Sequence, residues 1–139
     1  MTDTEVLRER LALLAEYIAD LEAERDISLQ DFMREKCIRR YIERTLHLAV
    51  ESCLDIAGHI ISAEGLREPI DNKDIFVVLG EAGYLSDSLV KKLVKMAQFR
   101  NIIVHDYARL DPEIVWGILK RDVEDLKVFM KEIRARFGV

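Results

Sequence analysis

Leu7, Leu11, Leu14, Ile18 and Leu21 follow one another at steps of 4, 3, 4 and 3. Those steps lay one apolar stripe along a helix and predict a first helix over about 4–24. The segment Asp26-Ile27-Ser28 can cap a second helix. That helix is expected to be long, about 28–62. Its stripe holds Leu46, Ala49, Val50, Cys53, Ala57 and Ile60, and Leu48, Leu54, Ile56 and Ile61 add apolar surface outside it. A helix apolar on more than one face sits at the centre of a bundle or contacts a partner chain. Gly65 and Pro69 mark a loop. Ile75, Phe76, Val78 and Leu79 carry a short helix, about 72–82, which Gly83 ends. Ser86 can cap a fourth helix running to about residue 105. At Asp111-Pro112-Glu113 a cap residue, a first-position proline and a first-turn acid stand in helix-start order. The helix opened there is predicted to reach about residue 136, with Val115, Ile118, Leu119, Leu126, Phe129 and Ile133 inward.

No strand-like alternation, internal repeat or low-complexity run interrupts this pattern. Only six Gly and two Pro break a chain of 139 residues, half of it hydrophobic and a third charged. The expected fold is therefore all-α: an up-and-down bundle of four or five helices, in one domain spanning 1–139. The N-terminus MTDTEVLRER lacks the apolar run of a secretory signal, and no uninterrupted apolar stretch reaches the ~18 residues of a membrane span. A cytoplasmic protein with no membrane contact is the expectation. Cys37 and Cys53 both fall in the second predicted helix, too far apart to bridge, and both are read as buried structural thiols.

The net charge is −5, which suits nucleic acid poorly until its distribution is considered. Residues 1–33 hold nine acids and three bases, a net of −6. Residues 34–45 hold five bases (Arg34, Lys36, Arg39, Arg40, Arg44) and two acids, a net of +3. Residues 84–110 again hold five bases and two acids. Two modest basic zones remain that could meet phosphates if they converge in space. On charge alone they are equally well solvated helix faces.

The fourth helix carries the unusual chemistry. At about 100° per residue, Leu89, Leu93, Met96, Ile103 and Val104 fall within about 60° of one direction, an ordinary core stripe. Arg100 and Tyr107 fall in the middle of that stripe. A guanidinium there must be paired or must face a cleft or subunit interface. Either Arg100 meets an acid such as Glu51 or Glu43 on the second helix, or it lines a site. His105 points about 140° away from Arg100 on a straight helix. The two can meet one phosphate only if the helix unwinds near Val104 or if they come from opposite subunits of a dimer.

The string Arg100-Asn101-Ile102-Ile103-Val104-His105-Asp106-Tyr107 places Arg, four residues, His, one residue and Tyr in order. It resembles the signature of the HepT-like branch of the HEPN superfamily, whose common form also has Asn after the Arg. Glu43–Ala57 resembles that family's second-helix pattern, and Leu93–Asn101 its approach to the site. The resemblance runs over nearly the whole chain. It implies an all-α HEPN-like bundle and a metal-independent ribonuclease toxin, without cofactor, that works as a homodimer with its cleft between subunits. It further implies a cognate MntA-type nucleotidyltransferase antitoxin that adenylylates the motif tyrosine, here Tyr107.

The residue types suit that chemistry. Metal-free RNA cleavage uses the neighbouring 2′-hydroxyl as nucleophile. His105 can act as base or acid near neutral pH. Arg100 offers a bidentate charge for the phosphorane oxygens. Asn101 is read as a supporting residue that orients the helix end or a water, and Tyr107 as a phosphate contact. Adenylylation of Tyr107 would put negative charge and bulk before Arg100. Two other readings compete. A metal-carboxylate bundle needs Glu three residues before His on facing helices, whereas Glu43 and His47 are four apart, so no metal ligands are assigned. A non-catalytic module of the same fold would use the cleft to bind a nucleotide or a partner nucleotidyltransferase.

Overall fold

The computed structural model describes residues 2–105 and 110–139. Among the described residues the chain forms seven helices and no strand. They are α1 (Thr4–Ala23), α2 (Leu29–Arg34), α3 (Lys36–Ala63), α4 (Asn72–Glu81), α5 (Asp87–His105), α6 (Pro112–Arg121) and α7 (Val123–Phe137). The caps at Ser28 and Asp111 follow the sequence signals, and those at Asp3 and Asp71 are new. Asp3, Ser28, Asp71 and Asp111 each accept a backbone N–H in the first turn that follows, and Pro112 opens α6. Gly65 and Gly83 adopt positive φ after α3 and α4. There they let Leu66 N–H and Tyr84 N–H reach back to the carbonyls of Ile61 and Leu79.

Two predicted helices are each broken in two. The long second helix stops at Glu35, whose ψ of 83° leaves helical space. No glycine or proline signals this stop. Arg39 supplies the physical reason: its guanidinium donates to the carbonyl of Met33 at 2.6 Å and reaches that of Phe32 at 3.4 Å. A side chain from the next helix thus takes the carbonyls that α2 leaves unpaired, while Phe32 is fully buried. The last helix breaks more gently at Asp122, which stays near helical φ and ψ but switches to a tighter bond, Asp125 N–H to its carbonyl.

α1 packs on α3, α3 on α5, α5 on α7 and α7 on α1, closing a four-helix bundle. α3 touches every other helix, as its apolar breadth required. α4 lies on α3 and α5, and α2 and α6 pack on each other and on α3. The α1 stripe from Leu7 to Leu21 is buried, as are the six inward residues of α6 and α7. Among the described residues α3 is the one helix long and apolar enough to cross a membrane, and over half of that window is buried inside the bundle.

Three local expectations change. Val104, assigned to the core stripe, is 42% exposed. Ser86 does not spend its hydroxyl on capping; its N–H and hydroxyl both donate to Glu132 of α7, at 2.7 and 3.1 Å. Cys53 is buried and burial pushes its thiol pKa up, but Cys37, in the first turn of α3, is exposed.

The Asp122 junction yields a stability prediction. Burial raises the Asp122 carboxyl above its ordinary range, with Arg121, Lys95 and Lys92 opposing. A raised folded pKa means that ionised Asp122 costs stability at neutral pH, and protonation relieves that cost as pH falls through the folded value. Asp122→Asn should therefore melt above the parent protein at pH 7, with the gap closing as pH falls into the carboxylate range. A gap that widened on acidification would show that the carboxylate stabilises the junction.

Candidate active site and family

Arg100 stands on α5 where the bundle's core stripe meets α3. Its side chain is 20% exposed, and Met96 and Ile103, one turn away on either side, are buried. A guanidinium at such depth needs a partner. Its Nε donates to Oε1 of Glu51 on α3. Of the two acids that the sequence offered, Glu51 is therefore the one paired with Arg100. Nη1 reaches Oδ1 of Asn101 at 3.3 Å, which places Asn101 as a support of the guanidinium. Nη2 makes no hydrogen bond among the described residues. The side chain is thus held by one edge and keeps donor capacity on the other, so pairing and a role in a site are compatible.

The Glu51 carboxylate is shared. His47, one turn earlier on α3, holds its Nε2 3.5 Å from the same Oε1. Arg44 Nη1 lies 3.2 Å from His47 Nδ1. Arginine can only donate, so Nδ1 accepts and the proton of a neutral His47 sits on Nε2, facing Glu51. The result is a polar chain, Arg44–His47–Glu51–Arg100–Asn101, laid across the α3–α5 seam. The sequence reading stopped at Glu51 and missed His47 and Arg44 as its continuation. The available signal was spacing: Arg40, Arg44, His47 and Glu51 step by 4, 3 and 4 along α3.

His105 does not join this chain. It is the last described residue of α5, still helical and exposed. The helix thus does not unwind at Val104, and within one chain His105 diverges from Arg100 by about 140°. Ile102 and Val104 beside it are 44% and 42% exposed. Tyr107, expected next to Arg100, lies outside the described residues.

Two small cavities flank the polar chain. One, of 280 Å³, is lined by Arg40, Glu43, Arg44, His47 and Ile103. The other, of 210 Å³, is lined by Arg39, Arg40, Glu43, Leu110 and Pro112. The two basic zones meet in part: Arg100 of the second is joined to Arg44 of the first through His47 and Glu51. Arg40 and Arg44 belong to the Arg100 side, whereas Lys92 and Lys95 line a larger cavity of 560 Å³ with Phe99, Ile102 and Ile118. Lys92 there sits 3.6 Å from Asp125. That cavity holds none of the motif's polar residues. Among the described residues no three His, Cys, Asp or Glu side chains converge as a metal-ligand set.

Comparison with known proteins identifies the family. The family described as ribonuclease HepT-like matches residues 14–133. A tRNA nuclease HepT from Aphanizomenon flos-aquae is 27% identical over 137 residues, covering 97% of this chain and 93% of that protein. An mRNA nuclease HepT from Shewanella oneidensis is 33% identical over 106 residues, covering 76% of this chain and 77% of its own length. Among solved structures, a tri-AMPylated Shewanella oneidensis HEPN toxin in complex with its MNT antitoxin superposes with a TM-score of 0.85 at 27% identity, over 97% of this chain and 99% of that one. A toxin–antitoxin complex with AMP-PNP gives a TM-score of 0.86 at 26% identity, over 94% and 98%. With this fold, this order of helices and a family match over most of its length, the chain belongs to the HepT-like ribonuclease family.

Proposed function

We propose that this protein is the toxin of a toxin–antitoxin pair, a cytosolic, metal-independent endoribonuclease whose composite sites form in a homodimer. The observation that carries this reading is the Arg100 geometry: a half-buried guanidinium clamped through Nε by Glu51, with Nη2 making no hydrogen bond among the described residues. In the reaction, the 2′-oxygen attacks the adjacent phosphorus, a base takes its proton, and the 5′-oxygen of the next nucleotide leaves with a proton from an acid. Arg100 holds the non-bridging oxygens while negative charge builds on them. His105 of the other subunit moves a proton. Asn101 keeps the guanidinium oriented, and Tyr107 contacts the phosphate.

The continuous helix through His105 supports the two-subunit arrangement, because one α5 cannot aim both side chains at one phosphorus. Exposed Ile102 and Val104 flank His105 and supply apolar surface for a second copy to cover. The antitoxin is an MntA-type nucleotidyltransferase that attaches adenylyl groups to Tyr107, as the AMPylated state of the Shewanella toxin suggests by analogy. A nucleotide-bearing phenol in front of Arg100 excludes RNA by occupation and charge.

Arg100→Ala should lower cleavage by about 10²–10³-fold and His105→Ala by about 10²–10⁴-fold, with folded, dimeric protein in both cases. Unfolding and refolding the two inactive variants together gives the decisive measurement. Random pairing makes half of the dimers mixed, and each mixed dimer rebuilds one of two sites, so about a quarter of parental activity should return. No recovery would place both residues in one subunit. RNA fragments should end in a 2′,3′-cyclic phosphate and begin with a 5′-hydroxyl; 5′-phosphate ends would rule out 2′-hydroxyl attack. A parent protein that binds nucleotide tightly yet cleaves nothing would favour the non-catalytic module.

Glu51 should act through Arg100. Glu51→Ala leaves a half-buried guanidinium without its carboxylate, costs roughly 1–3 kcal/mol of stability, and should lower cleavage about tenfold or more at saturating RNA by letting Arg100 wander. Glu51→Gln keeps an acceptor for Nε and should retain more activity than the alanine variant. Equal activity in both variants would separate Glu51 from the chemistry.

A further inference from the structure

We infer that the α3 stripe of Arg40, Arg44 and His47 is a docking track for the backbone phosphates of single-stranded RNA on one side of the scissile bond. The inference rests on the ribonuclease reading above and extends it to how substrate is held. At 100° per residue Arg40, Arg44, His47 and Glu51 fall within about 60° of one direction on α3. Over 11 residues the stripe runs about 16 Å along the helix, long enough for more than one phosphate beyond the one at Arg100. Its inner end is joined to Arg100 through His47 and Glu51.

The neighbouring bases separate into those tied to protein and those that are not. Arg39 is spent on the carbonyls of Phe32 and Met33. Arg34 is paired with Asp31 at 2.7 Å. Arg40 makes no hydrogen bond or ion pair among the described residues, and Arg44 contacts only the His47 ring there. Both guanidinium groups are exposed. They therefore face solvent with charge uncompensated by any described carboxylate, in a protein whose net charge is −5. The adjoining 280 Å³ cavity, with Ile103 as its apolar wall, gives room for part of a nucleotide beside the track. Glu43 lines it as well.

A single file of two guanidinium groups suits one strand. Duplex RNA is read across about 16 base pairs by surfaces spanning two grooves, and an overall acidic chain offers no such basic expanse. Guanidinium groups at the mouth add affinity by releasing counterions and leave the bond-breaking step to Arg100 and His105.

The test uses the full-length dimer and two substrates with the same cleavage site, a dinucleotide and a single-stranded RNA of about a dozen nucleotides. The Arg40→Ala/Arg44→Ala double variant should lose about tenfold more kcat/KM on the longer RNA than on the dinucleotide, mainly through KM. The slope of log KM against log salt for the longer RNA should fall by about 1.4, two single-strand phosphates at ~0.7 each. An Arg8→Ala/Lys131→Ala control removes two exposed charges elsewhere and should shift neither ratio nor slope. Equal losses on both substrates, or none, would overturn the track. So would an unchanged RNA response with weakened binding of the purified antitoxin, which would assign the arginines to that protein. Binding of the same RNA with a 2′-deoxy block at the cleavage site separates this inference from the ribonuclease reading. Affinity that depends on Arg40 and Arg44 in a protein that cuts nothing would support the track and sink the enzyme, and no RNA affinity at all would overturn both.

Discussion

Everything at the candidate site depends on one ion pair. Arg100 occupies a core position of α5, and a guanidinium cannot sit there without a counter-charge. Glu51 supplies it from α3, so two helices are held in one register by a polar contact within an apolar seam. Pairing of this kind stabilises little once desolvation is subtracted, but breaking one side is costly. Its value here is geometric. Because Glu51 grips Nε and Asn101 Oδ1 meets Nη1, the plane of the Arg100 guanidinium is fixed by contacts within the chain.

The same carboxylate organises what lies beyond it. His47 shares Oε1, and Arg44 leans on His47. The two guanidinium groups, Arg44 and Arg100, are thus linked along the seam through an imidazole and a carboxylate. An array like this transmits position more than energy: a displaced Arg44 moves His47, and among the described residues His47 is one of two groups that fix Glu51. The basic zone at the start of α3 is in this way physically coupled to Arg100, although the sequence distance between Arg44 and Arg100 is 56 residues.

The fold was legible in the chain because its helices are long, regularly striped and well capped. The α1 stripe, the Asp111-Pro112 start and the Gly83 stop are local signals, and all three hold. The breaks at Glu35 and Asp122 were not legible, because no local residue causes them. The first depends on Arg39 reaching back to Phe32 and Met33, and the second is a switch of one backbone bond, Asp125 N–H to the Asp122 carbonyl. Val104 was misplaced for a similar reason: a periodic stripe tells which side of a helix is apolar, not where the bundle stops covering it. At the site, Arg100 announced itself as a charge inside an apolar stripe, and Glu51 was one of two plausible partners. His47 and Arg44 were harder to see because a histidine and an arginine on a long helix are ordinary in isolation. Only the contact across the seam gives their spacing meaning.

Helix phase is the remaining constraint, and it bears on why such a small protein would need a second copy. Five residues separate Arg100 from His105, and five steps of about 100° turn a side chain most of the way to the opposite face. A single helix can present both groups to one phosphate only by giving up its hydrogen bonds between them, each worth about 1 kcal/mol in place. α5 keeps them: the helix runs unbroken through His105. In the proposed dimer, a two-fold axis near the end of α5 would resolve the conflict without strain, because it would turn the partner's His105 back toward this chain's Arg100. Association would then do more than stabilise the bundle. It would assemble the acid–base group and the phosphate clamp from surfaces that are each incomplete alone, and the separated chain would carry a site with charge but no proton donor.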